Sequence, residues 1–479
     1  MKNKIIVCLW LLAAGEFFGP TVASAASPKA APNFVVILAD DQGWNGLSVR
    51  MDPNEPGSGS TYFRTPNLAR LAEQGMRFSQ AYSASPTCSP SRHSIQFGRS
   101  PASLKIFGAD GIEEFDATPG ESLANVLKSI NPNYVCAHLG KWHVGKAPDV
   151  LGYDVHDGST ANGDGQSKDP RDPKFTFDLS RRANEFMAQQ VKAQRPFLIQ
   201  ISYYADHLKF QALAETIKQY KTKYAADATE YHKDPLWAAM NENLDSGIGM
   251  VLKQLEELGI ADNTYVIYTA DNGFEDKFDH DCPIEERGFY KAYPQRSHKY
   301  KVSEGGIRVP FIVRGPGVPT NSHSSAAVIG TDIFPTVMEL AGGANRIPPR
   351  VEGDSLVAHL KSCGAAPIKR SNPFLAFKFS KGGGRDIAIV EEDFKLLKDL
   401  KENKLLLYNL GADIGERNNL AATQPERAAR MYATLKDYFK RCGWDEAVEV
   451  GLKQSQSADK KAQKKAAKKN RGDEDDDEE

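Results

Sequence analysis

A chain of 479 residues is too long for one small core and fits one large domain with a smaller one beside it. Its composition, 41% hydrophobic and 25% charged, is ordinary for a soluble globular enzyme. The formal net charge of −2 sets up no global field for nucleic acid, so an anionic substrate must be drawn in by local charge.

The first residues read as a signal peptide over 1–25. Lys2 and Lys4 precede an apolar run, Ile5 to Ala14, that is too short to span a bilayer, and Ala23-Ser24-Ala25 is a small-residue cleavage site. The expectation is an exported protein, periplasmic or secreted, with no transmembrane segment after cleavage. Removing the leader with its Cys8 leaves Cys88, Cys136, Cys282, Cys363 and Cys442, an odd number. Cys363 and Cys442 could pair within the C-terminal part. Cys136 lies in a strand-like run and reads as a buried free thiol.

Asn33-Phe-Val-Val-Ile-Leu-Ala39 is a continuous apolar run that ends on Asp40-Asp41, as a strand buried on both faces would. The pattern recurs. Tyr134 to Leu139 runs into Gly140-Lys141, Pro196 to Tyr203 into Asp206-His207, and Thr264 to Thr269 into Asp271-Asn272-Gly273. Pro310 to Val313 is a fifth. Helical spacing of apolar residues follows Thr65 and fills Glu121 to Ile130, Leu179 to Val191 and Leu236 to Leu258. Strands alternating with helices predict an α/β fold with a large doubly wound sheet, and such sheets place ligands past the carboxyl ends of their strands. All four polar clusters stand there.

A helix begins at Thr331-Asp332, with one of the two as N-cap; Asp332 reads as a cap rather than a catalyst. After Gly353-Asp354-Ser355 the texture changes. Asp386 to Val390, Phe394 to Leu397 and Leu405 to Tyr408 read as a small antiparallel sheet, with a helix over Ala428 to Phe439 packed on it. The predicted division is a catalytic domain over 26–365, a C-terminal subdomain over 366–452, and a disordered charged tail over 453–479.

The strongest chemical signal is Cys88-Ser89-Pro90-Ser91-Arg92. It resembles the Cys-x-Pro-Ser-Arg signature of the formylglycine-dependent (type I) sulfatases, in the alkaline-phosphatase-like superfamily. The family continues Leu-Thr-Gly-Arg, where this chain has Gln96-Phe97-Gly98-Arg99. Further likenesses follow in order. Asp40-Asp41-Gln-Gly-Trp44 is similar to the first metal motif, Gly140-Lys141-Trp142-His143-Val-Gly145 to the Gly-Lys-Trp-His-x-Gly motif, and Asp271-Asn272-Gly273 to the second metal motif. Lys299 stands before Glu304-Gly-Gly-Ile-Arg308, and Leu407 to Leu410 with Glu416 to Leu420 resembles the family's C-terminal subdomain.

Asp40, Asp41, Asp271 and Asn272 offer four hard oxygen ligands, a set that suits Ca2+, then Mg2+, and suits Zn2+ poorly. The resemblance implies that Cys88 is converted by a sulfatase-maturation enzyme to formylglycine (3-oxoalanine), whose hydrate attacks the sulfur of a sulfate ester. It also implies that the metal binds residue 88 together with Asp40, Asp41, Asp271 and Asn272. Arg92 then positions the hydrate, Lys141 and Lys299 hold sulfate oxygens, and His207 protonates the leaving oxygen, alone or with Lys299. His143 deprotonates the second hydroxyl, which expels sulfate. The family usually has His-x-Pro or Pro-His near His207, and here only the His of Ala205-Asp206-His207-Leu208-Lys209 matches. Lys301 is close enough in sequence to stand in for Lys299. His93, His138 and His298 read as structural, or as supports behind the residues that meet the substrate. The expected substrate is a sulfated saccharide, with the Asp157 to Phe175 loop shaping the entrance. Two other readings fit the motifs: a phosphodiesterase or phosphonate monoester hydrolase of the same superfamily, and an inactive protein that binds sulfated glycans.

Overall fold

The computed structural model describes residues 30–106, 115–229, 231–275, 292–381, 384–400 and 403–444. The expected signal peptide, Cys282 and the expected charged tail lie outside them. Fourteen strands are described: β1 Asn33–Ala39, β2 Met76–Phe78, β3 Ala81–Tyr82, β4 Val135–Gly140, β5 Val155–His156, β6 Phe197–Ser202 and β7 Thr264–Ala270. Then come β8 Phe311–Arg314, β9 Ser322–Ser324, β10 Val328–Ile329, β11 Leu375–Lys381, β12 Gly384–Glu391, β13 Phe394–Asp399 and β14 Lys404–Asn409.

Eight strands form one mixed sheet in the order β5-β4-β6-β1-β7-β8-β2-β9. β1 is flanked by β6 and β7, parallel to both, so no face or edge of it meets water, and all seven of its residues are buried. That is why it reads as an unbroken apolar run: an alternating strand would bury polar side chains on one face. Each buried Val, Ile or Leu contributes about 1.5–3 kcal/mol before ordering costs are subtracted. β8 pairs antiparallel to β7 and β2 and alone runs against the rest. β4, β6, β1 and β7 therefore end at the same edge.

The helices have local reasons to start and stop. Asp234 caps the Pro235–Glu257 helix by accepting from Leu236 N and Trp237 N, with Pro235 at its first position. The Cys88–Phe97 helix ends on Gly98 in the left-handed region, φ 61°. All ten of its residues are buried, so this helix runs through the interior. The expectation for Asp332 is corrected. Its side chain makes no cap for the Ile333–Leu340 helix. It accepts instead from Ile329 N and Asp354 N and pairs with Arg370, tying three segments together.

β11 to β14 form an antiparallel meander, and the sequence reading missed its first strand. Alternation sorts its side chains. Ile387, Ile389, Leu396 and Leu407 pack with Met431, Leu435 and Phe439 of the Pro425–Arg441 helix. Phe377, Ala388, Val390, Leu397 and Tyr408 face the other way and pack with Tyr82, Val302 and Ile307. The cysteines Cys88, Cys136, Cys363 and Cys442 are all free thiols. The possible Cys363–Cys442 bridge is therefore absent: Cys363 is exposed, while Cys442 is half-buried beside Tyr438. Burial pushes the Cys136 thiol up to about 12, as expected of a structural cysteine. No helix among the described residues is long and apolar enough to cross a membrane.

Candidate active site

Four parallel strands deliver the polar clusters to one place. Asp40 and Asp41 follow β1, Lys141 and His143 follow β4, His207 follows β6, and Asp271 and Asn272 follow β7. Cys88 opens its helix into the same space. The backbone is held in uncommon conformations here: Asp41 and His143 have φ of 59° and 53°, in the left-handed region. Such conformations persist only where surrounding contacts over-determine them. Tyr203 N and Asp206 N donate to Leu38 and Asp40 carbonyls, and His143 N donates to Thr160 O at 2.8 Å.

One oxygen from each of Asp40, Asp41 and Asp271 lies within 4.8 Å of the others, and all three residues are buried. Three cations share the cluster. Lys141 Nζ donates to Asp40 Oδ2 at 2.6 Å, and Lys299 Nζ to Asp41 Oδ2 at 2.8 Å. Arg92 Nε donates to Asp271 Oδ2 at 2.9 Å, with Nη2 2.7 Å from the same oxygen. Burial works against the Asp40 carboxylate, yet Lys141, His207, Arg92 and Lys299 hold it well below the usual range. Burial, then repulsion from Asp40, pushes the Asp271 carboxyl up to about 7.

Two buried acceptors in this cluster take no hydrogen bond, Asp40 Oδ1 and Asn272 Oδ1. Arg92 Nη2 stands 3.7 Å from Asp40 Oδ1. A buried oxygen without a donor is costly, and two of them beside three carboxylates fit a hard divalent cation. The donor set is all oxygen, which suits Ca2+ or Mg2+ rather than Zn2+. Asn272 Nδ2 donates to Asp41 Oδ1 at 2.7 Å, which orients its own oxygen.

Cys88 Sγ lies 3.3 Å from His143 Nδ1. Burial pushes the thiol up, against the pull of Lys141 and Lys299. Burial, with Lys141 and Arg92 close by, pushes the His143 imidazole down to about 3, so it is neutral near pH 7. His207 Nε2 is 3.7 Å from Asp41 Oδ2, while Nδ1 meets Leu208 O at 2.6 Å. Burial pushes His207 down to about 4, against the pull of Asp40.

The structure thus brings together every candidate from the sequence: Cys88, Arg92, Lys141, His143, His207, Lys299, Asp40, Asp41, Asp271 and Asn272. It also separates the two lysines, because Lys299 is buried against Asp41 whereas Lys301 belongs to the field around Asp386. His93 is held between Ser89 O and Gly145 N, and His138 by Ser202 Oγ, both structural roles. The Asp157 to Phe175 segment braces the site. Thr160 Oγ1 donates to Gly140 O and accepts from Trp142 N, and Asp157 accepts from Gly140 N. The sequence placed Asp206 at a strand end beside His207 but gave it no role. Asp206 is 1% exposed, and burial pushes its carboxyl well up, with Asp41 and Asp40 adding to the rise. Its place between a strand end and His207 was the available signal.

Carboxylates and cations thus converge on a helix-opening cysteine at the strand ends, a setting whose charges suit an anionic ester. A family model described as Sulfatase matches residues 32–344, and the chain belongs to the sulfatase family, enzymes that hydrolyse sulfate esters. A sulfatase from Formosa agariphila is 26% identical over 86% of this chain and 89% of its own length. Human N-acetylgalactosamine-6-sulfatase is 28% identical over 69% of this chain and 67% of its own. Among solved structures, Ps i-CgsB in complex with k-i-k-neocarrahexaose has a TM-score of 0.71 at 22% identity, covering 89% of this chain and 98% of that one. BT4656 in complex with its substrate D-glucosamine-2-N,6-O-disulfate has a TM-score of 0.66 at 19% identity, covering 86% and 98%. At these identities the two structures establish the fold.

Proposed function

We propose that this chain hydrolyses sulfate esters on a sulfated carbohydrate, using formylglycine made from Cys88 and one divalent cation, Ca2+ before Mg2+. The carrying observation is that residue 88 opens a buried helix onto three carboxylates and three cations, with Asp40 Oδ1 and Asn272 Oδ1 left without donors. Asp40, Asp41, Asp271 and Asn272, with residue 88 beside them, would hold the cation. Such a cation supplies positive charge that polarises a sulfate oxygen and acidifies a nearby hydroxyl. Hydrated formylglycine supplies two hydroxyls on one carbon.

The chain's own residues do the rest. Lys141 and Lys299 are compact point charges whose ammonium groups already bind carboxylate oxygens and can turn to sulfate oxygens. Arg92 fixes Asp271 with its Nε and the Lys141 carbonyl with its Nη1, so it sets two sides of the pocket at once. To His143, neutral and 3.3 Å from the Cys88 sulfur, we assign the uptake of a proton from the group at residue 88. His207 gives its Nδ1 to Leu208 O, which leaves Nε2 to protonate the leaving oxygen from the imidazolium form. Burial opposes that form, and the Asp40 and Asp41 carboxylates favour it. Formylglycine implies a maturation enzyme as a partner during biogenesis, and the N-terminal leader implies export. The test is free sulfate release from a panel of sulfated saccharides by matured, Ca2+-loaded protein. Faster turnover of a bis-aryl phosphodiester would favour the phosphodiesterase reading, and binding without turnover the inactive glycan binder.

A further inference from the structure

Behind Lys299 lies a second cluster of charges, closed to water. Glu304 is 0% exposed, Arg308 2%, Lys395 0% and Glu416 1%. Lys395 Nζ donates to Glu304 Oε1 at 2.8 Å and lies 2.9 Å from Glu416 Oε1. Arg308 Nε donates to Glu304 Oε2 at 2.6 Å, and Glu304 N donates to Glu416 Oε2 at 3.1 Å. Lys395 is on β13 and Glu416 follows β14, so the C-terminal sheet supplies one half of the cluster. The Glu304–Ile307 turn and Arg308 supply the other. Burying four charges is expensive, and apolar packing between Val302, Ile307 and the sheet already joins these parts. Adhesion alone does not account for the charges.

What the charges hold is a turn on which three active-site segments rest. A Cβ on Gly306 would lie 2.0 Å from Lys301 O and 2.6 Å from His298 O, so the backbone on either side of Lys299 is pressed against it. Gly305 N donates to Arg296 O at 2.9 Å. Gly273, next to Asn272, donates its N to Gly306 O at 2.9 Å, and a Cβ there would lie 2.0 Å from Gly305 O. The Arg308 guanidinium stands 5.2 Å from the ring of Trp44, which closes the Asp40–Trp44 segment. Moving this turn by even half an ångström displaces Lys299 and Asn272 together, because close-packed backbone leaves no slack.

We propose that Lys395 is a positioning residue of the active site: its ammonium fixes Glu304, and through the Gly305–Gly306 turn it sets Lys299 where sulfate binds. The proposal rests on the sulfate-binding role given to Lys299 above. Lys395→Met alone strands a carboxylate and is expected to unfold in part, so the informative variant is Lys395→Met/Glu416→Gln, which removes one charge of each sign. It should melt cooperatively with wild-type circular dichroism, yet lose about tenfold in aryl sulfate turnover. Combined with Lys299→Met, it should add less than about twofold to the loss of Lys299→Met alone, because both changes act through one group. A second readout avoids turnover. Inorganic sulfate should raise the Tm of the Ca2+-loaded wild type, and the network variant should lose that protection as Lys299→Met does. If the losses multiply instead, or sulfate protection is intact in the network variant, Lys395 does not act through Lys299 and the proposal fails alone. If Lys299→Met keeps full turnover, the role of Lys299 fails and takes the proposal with it.

Discussion

Replacing Asp271 by Ala removes the acid that neutralises Arg92. The guanidinium is 1% exposed, its Nε and Nη2 both lie within 2.9 Å of Asp271 Oδ2, and Asp40 is 3.7 Å away. Breaking a buried ion pair on one side costs about 3–5 kcal/mol, because the other charge stays buried. Asp271 Oδ1 also accepts from Asp41 N at 3.1 Å. An unfolding entropy of about 2.1 cal/mol/K per residue over about 450 residues is roughly 0.9 kcal/mol/K, so a loss of 4 kcal/mol lowers Tm by about 4 °C. Asp271 thus has a structural role beside the ligand role proposed for it, and its loss should cost stability as well as turnover. The assay is thermal melting in chelator, which removes metal binding from the comparison. It is run at pH 8, where a carboxyl pushed up to about 7 is ionised. Asp271→Ala/Arg92→Met should be more stable than the sum of the single losses by about 1–3 kcal/mol. Single losses that add up to the double within about 0.5 kcal/mol would refute the coupling.

Cys88→Ala should abolish turnover and leave the melting curve nearly unchanged, and peptide mass spectrometry of matured wild type should show an aldehyde at residue 88. His207→Ala should slow sugar sulfates far more than activated aryl sulfates, whose leaving groups need no proton, in kcat/KM measurements on both. His143→Ala should release a burst of alcohol and then accumulate protein heavier by a sulfate group, read by intact-protein mass spectrometry. His232 tests the acid limb of stability. Burial pushes it down to about 4, so the folded state disfavours the proton that the unfolded chain takes up near 6.5. Its contribution is present above pH 6.5 and is lost as pH falls toward 4, by about 3 kcal/mol at the limit. His232→Asn should flatten the fall in urea midpoint between pH 7 and pH 5; an unchanged slope would place the acid sensitivity elsewhere.

The middle of the large sheet was legible because its strands are buried on both faces, whereas the short strands β2, β5 and β9 were not read, and β5 is exposed. β1, β4, β6 and β7 show as apolar runs, and each ends abruptly on polar residues that the fold then uses. The catalytic candidates were legible for the same reason: Asp40, Lys141, His207 and Asp271 each follow a strand by a few residues. β11 was not read, because its Lys378 interrupts the apolar pattern although the residue is only 3% exposed. Lys395 escaped for a related reason. A charged residue in a short strand reads as solvent-facing, and nothing local reveals that Glu304 and Glu416 close over it from distant parts of the chain. Asp332 misled the reading because an acid at a helix start has the pattern of a cap, while its partners Asp354 and Arg370 are far away in sequence. Pairings across long separations leave no periodic trace.

Residue 88, matured and set among Asp40, Asp41 and Asp271, is the group proposed to cleave sulfate esters. The most direct measurement is sulfate release from a sulfated saccharide by protein produced with a maturation enzyme, with and without chelation and Ca2+ add-back. The prediction is turnover that needs the aldehyde at residue 88, disappears on exhaustive chelation and returns with Ca2+. Full turnover by metal-free protein that still carries a thiol at Cys88 would contradict it.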